Sequence, residues 1–176
     1  MAGNSFIKFG GDVPKGESLQ KGHHGDQGWI EIGDWSWDIE AEHSVTKGTG
    51  AAVGKATPGT LSISHYYDVS SNIILSKIVA GQHFPMITIE MLKQTGKVDV
   101  GPETYFQVKV SEAYVTKVST KGGEDGSMNQ DVEFVFKQIA LGYKAQKNLG
   151  GLEASIPFEW SIKEMKLGSD ISDKLK

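Results

Sequence analysis

Gly59–Pro85, GTLSISHYYDVSSNIILSKIVAGQHFP, is the stretch on which the reading of this chain turns. Thr60–Tyr67 alternates in polarity, with Leu61, Ile63 and Tyr67 set on one face, which is the period of a half-buried strand. His65 falls in the same phase and is expected to be a hydrogen-bonded core or interface histidine. Asp68 and Ser70 then offer short side-chain oxygens for a helix start, and the spacing predicts a helix through about Ala80. Ile74/Ile78 and Leu75/Val79 are i,i+4 apolar pairs, and Gly81 is placed to stop the helix. Pro85–Lys93 alternates again, with Ile87, Ile89 and Met91 together. A strand, one short helix and a strand therefore follow in direct succession.

Outward from this centre the chain reads almost entirely as strands. Ser5–Phe9 is a first short strand, and Gly10–Gly28 a polar loop carrying His23 and His24. Trp29–His43 reads as one long strand whose apolar phase changes at Gly33–Asp34, from Ile30 and Ile32 to Trp35, Trp37 and Ile39, implying a bend. Val45–Pro58 has neither period and is expected to be a long exposed loop, a feature usually tied to function. Tyr105–Ser119 and Met128–Tyr143 form the best hairpin, joined by Lys121–Ser127. In the second arm the phase slips from Val132, Phe134 and Phe136 to Ile139, Leu141 and Tyr143, implying a bulge. Ser155–Ile162 is a last strand, and Glu164–Lys176 a charged tail. Seven or so strands with one helix and no internal repeat leave a barrel and a sandwich both open.

Composition excludes several classes. The chain has 176 residues, enough for one domain with a real core, and its 22 glycines against 5 prolines suit a turn-rich β protein. No 18-residue apolar run predicts a membrane helix. The N-terminal MAGNSFIKFGGD lacks a basic region followed by an apolar one, so no ordinary cleaved signal is expected. Cysteine is absent, which removes disulfides and thiolate metal sites. All 18 basic residues are lysine and the net charge is −4, an unfavourable balance for nucleic-acid binding.

No catalytic constellation emerges. GTGAAVGK is only superficially a phosphate loop, because Thr49 and Ala56 stand where glycine and a hydroxyl residue are required. No GxSxG elbow occurs. Adjacent His23 and His24 lack a spaced partner and read as a solvated loop, and Glu124 and Asp125 as part of a hairpin turn. The expectation is no enzyme, no cofactor and no metal. Strand alternation singles out a different feature: if Trp35 and Trp37 face the core, then Asp34, Ser36, Asp38, Glu40 and Glu42 form a polar stripe on the opposite face. Such a stripe is either plain surface or the wall of an aqueous channel.

Taken in order, IEIGDWSWDIE, the strand–helix–strand centre and VSTKGGEDGSMNQDVEFVF resemble the haemolysin-coregulated protein (Hcp) family, the tube subunits of type VI secretion. The resemblance spans nearly the whole chain. It implies an all-β protein, a β-barrel of two packed antiparallel sheets with one flanking α-helix, over residues 1–163, with the charged tail at 164–176. It implies homohexameric rings that stack into a tube, partners among VgrG-like spike, sheath and baseplate proteins, and small effector proteins carried in the lumen. It further implies a start in the bacterial cytoplasm and export without a cleaved signal, with no nucleic acid and no membrane insertion. On this reading Asp34, Ser36, Asp38 and Glu40 line the lumen, and Thr46, Lys47, Thr49, Val53 and Lys55 belong to a ring-stacking loop. The HHGDQG stretch and the lysine-rich tail depart from the family pattern. The rival expectation is a monomeric β-barrel binding module for a small ligand or carbohydrate.

Overall fold

A computed structural model of the chain describes residues 4–11, 15–44, 52–97 and 100–171, with only the backbone at 43, 44, 52 and 53. The strands are β1 (Ser5–Phe9), β2 (Trp29–Ile32), β3 (Trp35–Ser36), β4 (Ile39–Ser44), β5 (Ala52–Pro58) and β6 (Leu61–Tyr66). After helix α1 (Ser71–Ala80) come β7 (His83–Lys93), β8 (Glu103–Gly122), β9 (Met128–Val135), β10 (Gln138–Tyr143), β11 (Ile156–Ser161) and β12 (Lys166–Leu167). The class is all-β with one helix, and its paired strands are antiparallel.

The long strand β8 organises the molecule. Its first part pairs with β7 on one edge and β10 on the other, and its last part pairs with β9. At the changeover Glu112 sits in the left-handed region at φ 49, while Phe136–Lys137 interrupts the opposite strand. Ser111↔Gln138 and Tyr114↔Val135 keep one register across that interruption, so β9 and β10 are one strand with a break where the apolar phase slips. The extra residue is on β8, at Thr116, between the pairs formed by Val115 and Lys117.

The expected pair of packed sheets takes a different form. One ten-stranded sheet runs β12–β11–β10–β8–β7–β1–β2, with β9, β6 and β3 branching from β8, and β4–β5 is a separate two-stranded sheet. Because the bent β8 belongs to both arms of the large sheet, they share one core without being separate. The free ends meet where the Gly33 amide donates to the Ser64 carbonyl (2.7 Å) and the Ser64 amide to that of Asp34 (2.9 Å). No continuous ladder forms there, so the barrel is not fully closed.

The core gathers Ile7, Phe9, Ile30, Leu61, Ile63, Phe84, Ile89, Val110, Phe134 and Ile139 from both arms. Helix α1 closes it with Ile74, buried to 1% exposure, and the partly buried Ile78. Val79 is instead exposed, so only one of the two i,i+4 pairs is the packing face. Complete burial of a side chain such as Ile74 contributes about 1.5–3 kcal/mol. Asp68 accepts the Ser70 amide at 2.9 Å and Ser70 is the N-cap, although its own side chain makes no capping bond. Gly81 ends the helix at φ 64 and donates to the Ile78 carbonyl, while Gln82 donates to that of Lys77.

Three expectations are corrected. The long strand Trp29–His43 is three pieces, β2, β3 and β4, because Gly33–Asp34 bonds sideways to β6 and the chain leaves the large sheet after Ser36. Val45–Pro58 is not all loop: Ala52–Pro58 is β5, paired with β4 from Ile39↔Pro58 to Ser44↔Ala52, with Gly54 and Lys55 bulged opposite Glu42. Alanine, glycine and lysine masked the strand because Gly54, Lys55 and Thr57 are exposed and only Ala56 packs against the core, too little to impose an apolar period. Finally, the charged tail begins inside the fold. β12 pairs Trp160↔Leu167 and Ser161↔Lys166, Asp170 and Gln138 exchange hydrogen bonds, and Ile171 is buried. The exposed edge of β11 and an apolar residue in need of cover draw it in; residues 172–176 lie outside the described residues.

Candidate interaction surfaces

β3, β6, β9 and the end of β8 carry a continuous polar outer face. Ser36 pairs with Ser62, Ser62 with Glu133, Ser64 with Asp131, and Asp131 with Ser119. Their inward neighbours Leu61, Ile63 and Val132 are buried, so alternation sends these short polar groups outward. Asp34, Ser36, Ser62, Ser64 and Asp131 line a shallow depression there together with Trp35. The Lys121 ammonium donates to Asp131 at 2.7 Å, and Lys117 lies 3.6 Å from Glu133. The bond from Lys121, aided by the Ser64 hydroxyl, holds the Asp131 carboxyl below its ordinary value. The surface is hydrated and ionic, and suits contact with a polar partner or with water.

Of the residues expected on this stripe, Asp34 and Ser36 are exposed on the large sheet. Asp38 is exposed at the exit from the sheet, its carbonyl accepting the Gly59 amide, and Glu40 is exposed on β4. The structure therefore brings together Asp34 and Ser36 and separates Glu40 onto the projecting arm. Trp35 and Trp37 pack against the core but are half-buried. Trp35 stacks on Phe106 at 5.6 Å and donates its indole N–H to the Met91 sulfur at 3.3 Å. Sequence reading missed Ser62, Ser64, Lys117, Lys121, Asp131 and Glu133 as members of this face. Their polar phase was visible within each strand, but the pairing of β3 with β6 and β6 with β9 was not.

The second surface is the β4–β5 arm. Lys55 is exposed on it, and Val53 pairs with His43 through the backbone. Thr46, Lys47 and Thr49 lie outside the described residues.

A third feature lies on the opposite face of β1, β7 and β8, where Phe6, Trp29 and Leu92 form a second apolar cluster. Residues 15–28 cross over it. His23, expected in a solvated loop, is buried between the rings of Phe6 (5.0 Å) and Trp29 (4.5 Å). Its Nε2 meets a Glu90 carboxylate oxygen at 2.6 Å. Thr104 donates to the same carboxylate at 3.1 Å, and the Gln107 amide donates to its other oxygen. Burial pushes the Glu90 carboxyl up, but the His23 bond and charge, with Thr104 and Gln107, outweigh it and hold the group below its ordinary value. Apolar walls and a buried anion explain why a histidine turns inward here. His24 remains partly exposed and caps a short 3-10 turn by accepting the Asp26 amide at 3.3 Å. The loop lies close because Gly25 has no side chain: a Cβ there would stand 2.0 Å from the Gly16 carbonyl oxygen. Among the described residues no group of three or more His, Asp or Glu is arranged to hold a metal ion.

Comparison with known proteins agrees with this architecture. Residues 6–143 match the family model described as type VI secretion system effector, Hcp. A solved structure described as a type six secretion system protein is 26% identical, with TM-score 0.83, covering 95% of this chain and 100% of that one. Hcp1 from Salmonella typhimurium is 27% identical, with TM-score 0.72 and coverage of 95% and 99%. A type VI secretion system effector from Yersinia pestis shares the fold at 22% identity and TM-score 0.67, covering 89% and 98%. No curated protein sequence matches the chain. With the family model covering residues 6–143, most of its length, the chain belongs to the Hcp family of type VI secretion proteins.

Proposed function

We propose that this chain is a non-enzymatic structural subunit of the type VI secretion inner tube. It assembles into hexameric rings that stack, leave the bacterial cytoplasm with the apparatus, and carry small effector proteins in the lumen. Spike, sheath and baseplate proteins are its other partners, and it acts without a cofactor. The observation that carries this reading is the family match over residues 6–143. The outward polar face built on Asp34, Ser36, Ser62, Ser64 and Asp131 supports it, since a lumen wall must remain hydrated when empty. A closed ring also needs contacts between two different faces of one subunit. Native mass measurement tests the reading: a species at six times 19.1 kDa is expected. A folded monomer at micromolar concentration would favour the small binding module instead.

A further inference from the structure

The tip of the β8–β9 hairpin, residues 121–127 (KGGEDGS), holds a chemistry that the tube reading does not use. Asp125 is followed by Gly126, and no other aspartate in the chain precedes a glycine. A backbone amide that follows an aspartate can attack the side-chain carboxyl, and only glycine has no Cβ to obstruct ring closure. Residues 121–126 are all exposed, and a Cβ at Gly126 would meet nothing within 4 Å, so water reaches the linkage.

Two sets of contacts oppose that reaction. The Asp125 carboxylate accepts the Ser127 amide at 3.0 Å and the Ser127 hydroxyl at 2.7 Å. Those bonds draw the side chain towards Ser127 and hold the carboxyl below its ordinary value. Attack needs the neutral carboxyl, whose hydroxyl leaves as water; an ionised carboxylate has no such leaving group. The Gly126 amide, at φ 82, donates to the Gly123 carbonyl at 3.1 Å, so the attacking nitrogen is engaged in the turn. The Gly123 amide in turn donates to the Ser127 carbonyl at 2.8 Å and closes the loop above the Gly122↔Met128 pair.

We propose that Asp125–Gly126 is a modification site at which the chain converts to isoaspartate, and that Ser127 and the Gly123 carbonyl restrain the conversion in the closed hairpin. The Gly126 nitrogen bonds to Asp125 Cγ, and the amide proton and the carboxyl hydroxyl leave together as water. Water then adds to the main-chain carbonyl carbon of Asp125 and breaks its bond to nitrogen. The chain is left linked through Cγ, with a free α-carboxyl group. One water is lost and one returns, with no change of oxidation state. The product has an additional backbone carbon in the tip. It disrupts the Gly123–Ser127 closure and frays the ladder towards the Lys121–Asp131 ion pair of the polar face.

The test ages purified full-length wild type, Ser127→Ala, Ser127→Thr and Asp125→Glu in warm neutral buffer, with and without urea. Peptide mapping by mass and chromatography then separates isoaspartate from aspartate of equal mass. Folded wild type should accumulate isoaspartate at position 125 ahead of every other aspartate. Folded Ser127→Ala should do so about two- to tenfold faster, the effect of losing one hydrogen bond. Ser127→Thr keeps the hydroxyl and should age at the wild-type rate, and Asp125→Glu should give no such product there. Hydrogen exchange in the aged wild type should rise within residues 119–131. In urea, wild type and Ser127→Ala should age alike and faster than folded wild type, because the restraining contacts are gone. Absence of isoaspartate at position 125 in unfolded wild type overturns the site. Equal rates in folded wild type and folded Ser127→Ala overturn the restraint. Should circular dichroism show Ser127→Ala unfolded, the wild type decides alone: equal rates with and without urea also overturn it.

Discussion

Gln130 shows how one buried polar side chain ties three elements together. It is fully buried, its carbonyl oxygen lies 3.0 Å from His65 Nε2, and its amide faces the Ser71 carbonyl at 3.5 Å. That orientation assigns the proton of His65 to Nε2, joining β6, β9 and the start of α1. Gln130→Ala should cost about 1–3 kcal/mol in denaturant unfolding, because it strands buried polar groups. Ile74→Ala, which opens a cavity under the helix, should cost about 2–5 kcal/mol. Glu112 makes a different demand, since its positive φ burdens any residue with a Cβ and a β-branched one most. Glu112→Gly should retain the unfolding midpoint while Glu112→Val lowers it; equal midpoints would show that the corner is unstrained.

At the scale of elements, the loop over residues 15–28 is held down by the buried contact between His23 and Glu90. The Glu90 carboxyl is depressed in the folded state, so its contribution is fully present above the unfolded value of about 4.3 and is lost as pH falls through the lower folded value. Proteolysis or hydrogen exchange in this loop should therefore rise below about pH 4, ahead of the sheet core. Glu90→Gln should loosen the loop at neutral pH and flatten that acid response. His23→Ala removes the side chain that meets the buried Glu90 carboxylate at 2.6 Å and should cost about 1–3 kcal/mol, read as loop opening or global unfolding. An acid response unchanged by Glu90→Gln would place its origin elsewhere. The β4–β5 arm is the converse case, a two-stranded ribbon that gives the core little. Shortening Lys47–Lys55 to a tight turn should leave rings intact and reduce stacking and secretion; loss of rings would assign the arm to the lateral contact.

For the whole molecule, the question is what the polar outer face of β3, β6 and β9 meets. Ser36 is exposed between Asp34 and the half-buried Trp37, directly opposite Ser62. If this face lines the lumen, Ser36→Gln should preserve ring mass while blocking retention of a cognate effector through bulk alone. Co-purification of effector with rings of verified size measures this. Unchanged recovery would remove the face from cargo binding, and a collapsed ring would show that Ser36 lies in a subunit contact.

Local periodicity alone determined much of the molecule: the strands flanking α1, the helix with its Gly81 stop, the β8–β9 hairpin and the break near Phe136. Each depends on residues a few positions apart, and burial of one face imposes a period that survives in the sequence. The inward phase of His65 and the outward phase of Ser36 were legible for the same reason. The partners of those faces were not, because β3 meets β6 and β6 meets β9 across long separations with no local signature. The arm strand β5 was hidden because only Ala56 of it packs against the core, too little to impose an apolar period. His23 was misread because only the folded loop supplies Phe6, Trp29 and Glu90, which make burial of a histidine favourable.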